Sequence, residues 1–565
     1  MKRFLLLGFF LFLSVNCHAT EDQGKLSDAQ VKHIGIYCKV WGFLKYYHPA
    51  VTDGNINWDS TFIRIYPSIR DAKSDLDFKK PLMDLYQSAE RARDKNMHPT
   101  TSPRSDDEIS IVQFGWLEDA PTLGDELSKA LQKIRREFKP TNCHYIAPMT
   151  GASNPDFTMD KEFTEPRNDY PDEPLRALAA SRFWNAINYF APNKDLIGFP
   201  WDSALFRYVP AIVAARDTLS YQMNALLLYK SINDGHASTN APWAGEYLGM
   251  AWLPLAVSDI EGKPVITGSF DYPTENSDSI LSSLGIHRGD IIVKINGNDA
   301  DSLRKSRLPY VPGSNDAGKM RNATLYLLRG KPGQNAILTL ASPSGVREVT
   351  VPFSMHAVSD PWHTQDRSGV WKILPGNIGY VNMGILNVGQ VPEMMKDLAN
   401  TKGIVFDVRN YPHGSMYAIG EYLGKKKPFV YFTIPDVTNP GYLFKSDKNM
   451  MECGGEERYH GKIAILANEK TQSHAEFTIM SFQVVPGAKT FGSQTAGADG
   501  NISTIPLPGG VNTIFTGLGV FYPDGRRTQQ VGIKIDYEVK PTIKGIREGK
   551  DEVLERAVRY INTGS

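Results

Sequence analysis

Lys462-Ile463-Ala464-Ile465-Leu466 is an unbroken apolar run, followed by Ala467-Asn468-Glu469-Lys470-Thr471-Gln472 and then Ser473-His474-Ala475-Glu476-Phe477. An apolar run of that length between polar segments reads as a buried strand, and the residues after the serine read as the start of a helix. A serine at a strand-to-helix turn has an exposed hydroxyl, and the N–H groups at the helix N-terminus beside it can stabilise an oxyanion. That suits a nucleophile. The same residues also satisfy a simpler pattern, with Ser473 as N-cap and Glu476 completing a capping box, and on this stretch alone the cap is the commoner arrangement.

Outward from this turn, strand-like runs at 378–381 and 403–406 alternate with helical stretches at 391–398, 474–483 and 552–560. Residues 370–562 therefore read as an α/β layer with a central sheet. Asp407-Val408-Arg409-Asn410-Tyr411-Pro412-His413-Gly414 follows one of its strands, and Gly492-Ser493-Gln494-Thr495-Ala496-Gly497 comes about twenty residues after Ser473. Before it, residues 250–355 alternate apolar residues with turn signals and read as a small β-rich domain.

The N-terminal part carries an internal repeat at a constant offset of 143 residues. Trp41 matches Trp184, Tyr46 matches Tyr189, Pro49 matches Pro192, and Trp58-Asp59-Ser60 matches Trp201-Asp202-Ser203. Arg64, Pro67, Leu85-Tyr86 and Ser88 match Arg207, Pro210, Leu228-Tyr229 and Ser231 in the same register. Both copies, 26–93 and 166–245, have apolar residues at helical spacing. The second runs on into Asn233-Asp234-Gly235-His236, where the first has Glu90, Arg91, Ala92 and Arg93. Any chemistry carried by His236 is thus missing from the first copy. Residues 94–165 connect the two, with a strand expected over 109–114 and an amphipathic helix near 127–138.

At 565 residues the chain has room for three or four domains of about 150 residues each. Lys+Arg and Asp+Glu both number 62, which gives no electrostatic reason to expect a nucleic-acid partner or an anionic membrane surface. Met1-Lys2-Arg3 and the apolar run from Phe4 to Val15 read as an export leader, too short for a permanent membrane span. Cleavage after Ala19 would leave a periplasmic or secreted protein, and the alternative is a lipidated Cys17, for which Asn16 is a poor preceding residue. Cys17, Cys38, Cys143 and Cys453 are scattered, with no His at ligand spacing, so neither a zinc site nor a disulfide framework is indicated. One pair among the last three could still close in an oxidising compartment.

Leu284-Gly285-Ile286-His287-Arg288-Gly289-Asp290-Ile291-Ile292-Val293-Lys294-Ile295-Asn296-Gly297 resembles the central segment of a PDZ domain, a module that binds extended peptides at a sheet edge. Together with Asp234-Gly235-His236, the Asp407–Gly414 stretch, the Ser473 turn and the Gly492–Gly497 stretch, it makes the chain similar to the tail-specific, or C-terminal-processing, serine proteases over roughly residues 180 to 560. The resemblance implies a multi-domain α/β protein with a duplicated helical region, a PDZ-like β-rich domain and a protease core.

It further implies peptide-bond hydrolysis through an acyl-enzyme on Ser473, without metal or cofactor, acting on a peptide or unfolded protein. The N–H groups of His474 and Gly414 would form the oxyanion hole. One branch of the family uses a lysine after the nucleophile, but the matching stretch here is Gly497-Ala498-Asp499, and Lys462 and Lys470 both precede the serine. The branch resembling the tricorn protease core uses an upstream histidine, which here is His236. That branch orients its histidine with a late carboxylate, where this chain has Gln529 in Arg527-Thr528-Gln529-Gln530. An amide can hold the ring but cannot match an imidazolium with a full charge. That departure keeps two other readings open, a non-catalytic peptide binder and a serine hydrolase acting on non-peptide esters or amides.

Overall fold

The computed structural model describes residues 26–94, 108–138, 143–165, 170–240, 248–269, 281–355, 369–456 and 458–565. The leader expected at the N-terminus, with Cys17, lies outside them. No helix of the described residues is long and apolar enough to cross a membrane. Cys38, Cys143 and Cys453 are buried thiols, none of them in a disulfide.

Two long helices, Asp28–Tyr47 and Glu173–Phe190, form the centre of the helical region. Ser27 and Gln30 cap the first reciprocally, and Asp172 caps the second. Both are buried nearly all round, packing on several sides at once, with charged and polar side chains such as Lys45 and Arg182 buried along with the apolar ones. They approach closely because position 42 is glycine: a Cβ there would lie 1.8 Å from Asn185 Oδ1. Trp41 and Trp58 each donate an indole N–H to the other's carbonyl, at 3.2 and 3.0 Å, and Trp184 and Trp201 do the same at 3.0 Å each. Ion pairs cross between the units with the same offset. Lys39 meets Asp202 at 2.8 Å, and Arg182, the counterpart of Lys39, meets Asp59, the counterpart of Asp202, at 2.7 Å.

Lys45 is wholly buried beside these pairs, 2.7 Å from Asp160 and 3.5 Å from Asp59, with its ammonium over the rings of Trp41 and Tyr145. Removing one partner of such a cluster strands the others without solvent. Lys45→Met should therefore cost about 3–5 kcal/mol of stability. Urea unfolding would measure this, and a loss under about 1 kcal/mol would mean that the two aspartates are satisfied without the lysine.

The connecting residues brace the assembly. The strand is shorter than the sequence suggests, Ile109–Ser110, and pairs with Leu443 and Tyr442, while the amphipathic helix spans Asp125–Glu137. Asn154 is fully buried and donates to Ile502 O and Ser503 Oγ.

The β-rich domain is an antiparallel sheet whose strands run in the order Gly345–Pro352, Asn335–Ser342, Ile291–Ile295, Lys263–Ser269, Leu255–Ile260. Asn296 and Gly297 both have positive φ, at 50° and 79°, as a tight hairpin turn needs. The helices Ala300–Arg307 and Asp316–Tyr326 lie between its strands in the chain, and the second packs on Leu255–Ile260.

The last region has a six-stranded sheet in the order Trp371–Leu374, Ile378–Asn382, Gly403–Asp407, Lys462–Ala467, Lys489–Gly492, Tyr537–Glu538, parallel except at its first pair. Its central strands Gly403–Asp407 and Lys462–Ala467 are almost wholly buried because both faces are covered there. Ile404, Phe406, Ile463 and Ile465 pack with the helices Val391–Asp397, Met416–Leu423 and His474–Gln483, whereas Val405, Ala464 and Leu466 pack with Glu552–Thr563. The turns at the carboxyl ends of the parallel strands are where such sheets place their sites.

One hairpin leaves this region. Ile502–Leu507 and Val511–Thr516 pair with each other, and the second strand pairs with Thr239–Asn240, just past His236. Ile505, Leu507, Val511 and Phe515 are buried in the core of the helical region. The hairpin thereby ties the two regions into one body at the site.

Candidate active site

Ser473 ends the turn after Lys462–Ala467 and precedes the helix His474–Gln483, with φ 59° and ψ −128°. An ordinary N-cap is extended, and a non-glycine residue at positive φ costs about 1–3 kcal/mol, so something must hold it there. Its N–H donates to Ala498 O at 2.9 Å and to Glu476 Oε2 at 3.3 Å. Glu476 is fully buried and also accepts from Thr495 Oγ1 and from the N–H groups of Gly497, at 2.9 Å, and Ala498, at 3.0 Å. Burial pushes its carboxyl up to about 7, against the four donors that favour the anion. The apparent capping box is thus an anchor that binds the serine turn to the 495–498 loop.

His236 reaches this turn from the helical region. Gly235 allows the approach: a Cβ there would lie 2.7 Å from Ala498 Cβ. Gly235 N–H donates to Ser314 Oγ at 2.7 Å, and Gly235 O accepts from Gln472, the residue before the serine, at 3.3 Å. His236 N–H donates to Asp234 Oδ1 at 3.0 Å. The ring Nδ1 lies 2.9 Å from Thr516 Oγ1, and that hydroxyl donates to Asp234 Oδ1 at 2.7 Å. A hydroxyl has one proton to give. Since Thr516 gives its proton to Asp234, it can only accept from the ring, which puts the imidazole proton on Nδ1 and leaves Nε2 with its lone pair. Nε2 is buried and makes no hydrogen bond among the described residues. Burial lowers the pKa of His236, as does the charge of Arg321, while Asp234 opposes them, so the ring is neutral near pH 7.

Ser473 and His236 line one cavity of about 550 Å³, with Tyr411, Arg321, Asn322, Tyr326 and Asn501 among the other walls. Gly414, at φ 74°, is exposed on the turn after Gly403–Asp407. Neither its N–H nor that of His474 has a backbone acceptor among the described residues. His413 Nε2 contacts Gly384 O at 2.8 Å, and the His474 ring sits beside Tyr411 and Phe477.

Gln529 does not occupy the position expected of it. Its amide donates to Ser314 Oγ at 3.2 Å and Asp234 Oδ1 at 3.4 Å, and the ring nitrogen it was to hold is bonded to Thr516 instead. The amide is one step removed from the His236 ring, behind Asp234. Thr516 could not be found from sequence, because it lies on a hairpin far along the chain. Asp234 was in view two residues before His236, but its local spacing does not reveal that it turns back onto the ring's partner. Lys462 is spent on Tyr560 O and Ile561 O at the end of the last helix. Asp499, where the other branch would have its lysine, is buried, and burial holds its carboxyl well above the ordinary range.

Residues 377–539 match the family model of peptidase family S41. This is a peptidase family S41 domain. Mature CPAF is structurally similar over 69% of this chain and 99% of its own, with a TM-score of 0.52 at 14% identity. Mature CPAF complexed with lactacystin matches over 68% and 98%, with a TM-score of 0.50 at 14% identity. The photosystem II D1 C-terminal processing protease matches over 70% and 98%, with a TM-score of 0.41 at 15% identity. No curated protein matches the chain. At these identities the CPAF matches establish a shared fold, extending beyond the S41 domain into the regions that precede it.

Proposed function

We propose that the chain is an exported serine peptidase in which Ser473 is the nucleophile and His236 the general base. The observation that carries this reading is that His236, whose Nε2 makes no hydrogen bond among the described residues, lines one cavity with Ser473, which lies in the stretch matching a peptidase family. Ser473 Oγ attacks the scissile carbonyl carbon while its proton passes to Nε2. The N–H groups of His474 and Gly414 receive the oxyanion. On collapse the C–N bond breaks and Nε2 returns the proton to the leaving amine. Water then attacks the acyl-enzyme ester, giving its proton to Nε2 and from there to Ser473 Oγ.

Thr516 and Asp234 keep the ring in the reactive tautomer, and Asp234 supplies the negative charge that Gln529 lacks. The missing late carboxylate therefore no longer favours a non-catalytic reading. The β-rich domain, with its Asn-Gly turn and its helix packed on an edge strand, suits a PDZ-like module that captures an extended peptide or unfolded chain. The matched tryptophan pairs and exchanged ion pairs support a duplicated helical region whose second copy alone supplies the base.

A fluorophosphonate probe should label the protein once, at Ser473, as read by peptide mapping, with labelling lost in His236→Ala. Labelling at another serine, or unchanged labelling without His236, would sink the assignment. A protein labelled at Ser473 that cleaves esters but no peptide would instead be a hydrolase of non-peptide substrates.

A further inference from the structure

A second, small cavity of about 20 Å³ lies against Asp234, lined also by Thr516, Gln529, Asn193, Lys194 and Phe515. Gln529 is only 3% exposed, and the orientation of its amide is fixed by what it touches. An ionised carboxylate only accepts hydrogen bonds, so the group that meets Asp234 Oδ1 at 3.4 Å is the NH2, which also reaches Ser314 Oγ at 3.2 Å. Oε1 is left over, buried and with no hydrogen-bond partner among the described residues. It needs a donor. Asn193, on the same cavity, has both Oδ1 and Nδ2 buried and likewise without a partner among the described residues. The turn after Asn193 is tied to the site, since Gln530 donates to Leu196 O and Asn233 to Ile197 O, each at 2.7 Å. In the first copy of the repeat the counterpart of Asn193 is Ala50, so the unit without the histidine also lacks this amide.

We propose that this cavity binds one water molecule, which donates to Gln529 Oε1 and is held by the Asn193 amide, and that Asn193 and Gln529 are thereby positioning residues for Asp234. A cavity of this size accommodates a single water, and a buried water needs about two to four polar partners, which the two amides supply. Charge selects a neutral occupant. An anion would face Asp234, and a cation would face Lys194, whose Nζ already takes up Asn188 O and Oδ1 at 2.8 Å each. The consequence runs along one chain of hydrogen bonds. A water donating to Oε1 polarises the amide and strengthens its N–H bond to Asp234. Asp234 in turn accepts from the Thr516 hydroxyl, which fixes the proton on His236 Nδ1. The water site stands apart from the Ser473–His236 reading, and only its effect on turnover rests on it.

Crystal structures of wild type and Asn193→Leu, at a resolution that shows ordered solvent, test the site. Wild type should show one solvent peak within about 3.2 Å of Gln529 Oε1, and Asn193→Leu, which fills the space and offers no polar atom, should abolish it. No peak in wild type, or a peak whose anomalous signal or coordination marks an ion, would overturn the proposal. The positioning role is read from the His236 ring by NMR titration in the Ser473→Ala background, which needs no turnover. With the water gone the amide donates more weakly to Asp234, whose charge then acts more fully on the imidazolium, so the ring should titrate at higher pH in Asn193→Leu. Arg321, the other charged group that acts on the ring, is unchanged. For a cleaved peptide kcat should fall about fivefold with KM unmoved, and Asn193→Ser, which keeps a hydroxyl to hold the water, should recover all but about twofold. A lower melting temperature with an unmoved titration would make Asn193 a structural residue and overturn its role. If the peak and the titration shift are found but no peptide is cleaved, the water site is upheld and the peptidase reading fails. Cleavage by a protein with no solvent peak there refutes the water alone.

Discussion

Ser473→Ala will lower peptide turnover by roughly five to six orders of magnitude while leaving the fold intact, and His236→Ala will cost nearly as much. The double variant should be no worse than the more damaging single one, because nucleophile and base act as one unit and the loss of either disables both. Steady-state cleavage of an unfolded protein substrate, with melting curves to verify folding, measures all three. Additive losses would mean that His236 contributes independently of Ser473. The same pair predicts the pH profile. Burial lowers the pKa of His236, so the acidic limb of kcat/KM should lie below the ordinary histidine value of about 6.5. The sign carries over to stability. A histidine depressed in the folded state binds its proton more readily when unfolded, so its contribution is complete above about pH 6.5 and is lost as pH falls toward the folded-state value. An acidic limb above pH 7 would mean that the group titrating is not this histidine.

Asp234→Asn should reduce kcat by about a thousandfold or more with little change in KM, since an orienting carboxylate is worth that much in comparable catalytic units. The argument concerns one proton. Asp234 accepts from the Thr516 hydroxyl, which leaves the hydroxyl oxygen to accept from His236 Nδ1–H. An amide can instead donate to that hydroxyl. Thr516 would then give its proton to Nδ1, the imidazole proton would move to Nε2, and the lone pair would lie on Nδ1, engaged with Thr516. Nitrogen-15 NMR of the ring should report the Nδ1–H tautomer in wild type and the Nε2–H tautomer in Asp234→Asn. An unchanged tautomer with a large loss of activity would show that Asp234 acts through something other than Thr516. Gln529→Ala, by contrast, removes an amide that touches Asp234 and Ser314 and should have a much smaller effect.

Much of this was legible in residue order. Buried parallel strands announce themselves as continuous apolar runs because both sheet faces are covered, so 403–406 and the run before Ser473 needed no tertiary information. The tryptophan spacing was legible too, since a helix pair must repeat its contacts at the same offset wherever its sequence repeats. Glu476 was read as a cap because its position in the first turn is a local fact. That it also gathers donors from residues 495–498 is not local and could not be read.

By itself, then, the sequence determined the elements, the turn that exposes Ser473, and the absence of a lysine where the Ser-Lys branch needs one. These depend on periodicity and on neighbours a few positions apart. Only the tertiary structure decided which groups surround His236. His236 meets Thr516 because the strand Val511–Thr516 crosses into the helical region and pairs with Thr239–Asn240, and that pairing is set by burial of Ile505, Leu507, Val511 and Phe515 in a core built mostly from residues 34–248. Contacts of that kind arise from apolar surfaces of distant segments finding each other, and a hydrogen bond that fixes a tautomer is a consequence of where they come to rest.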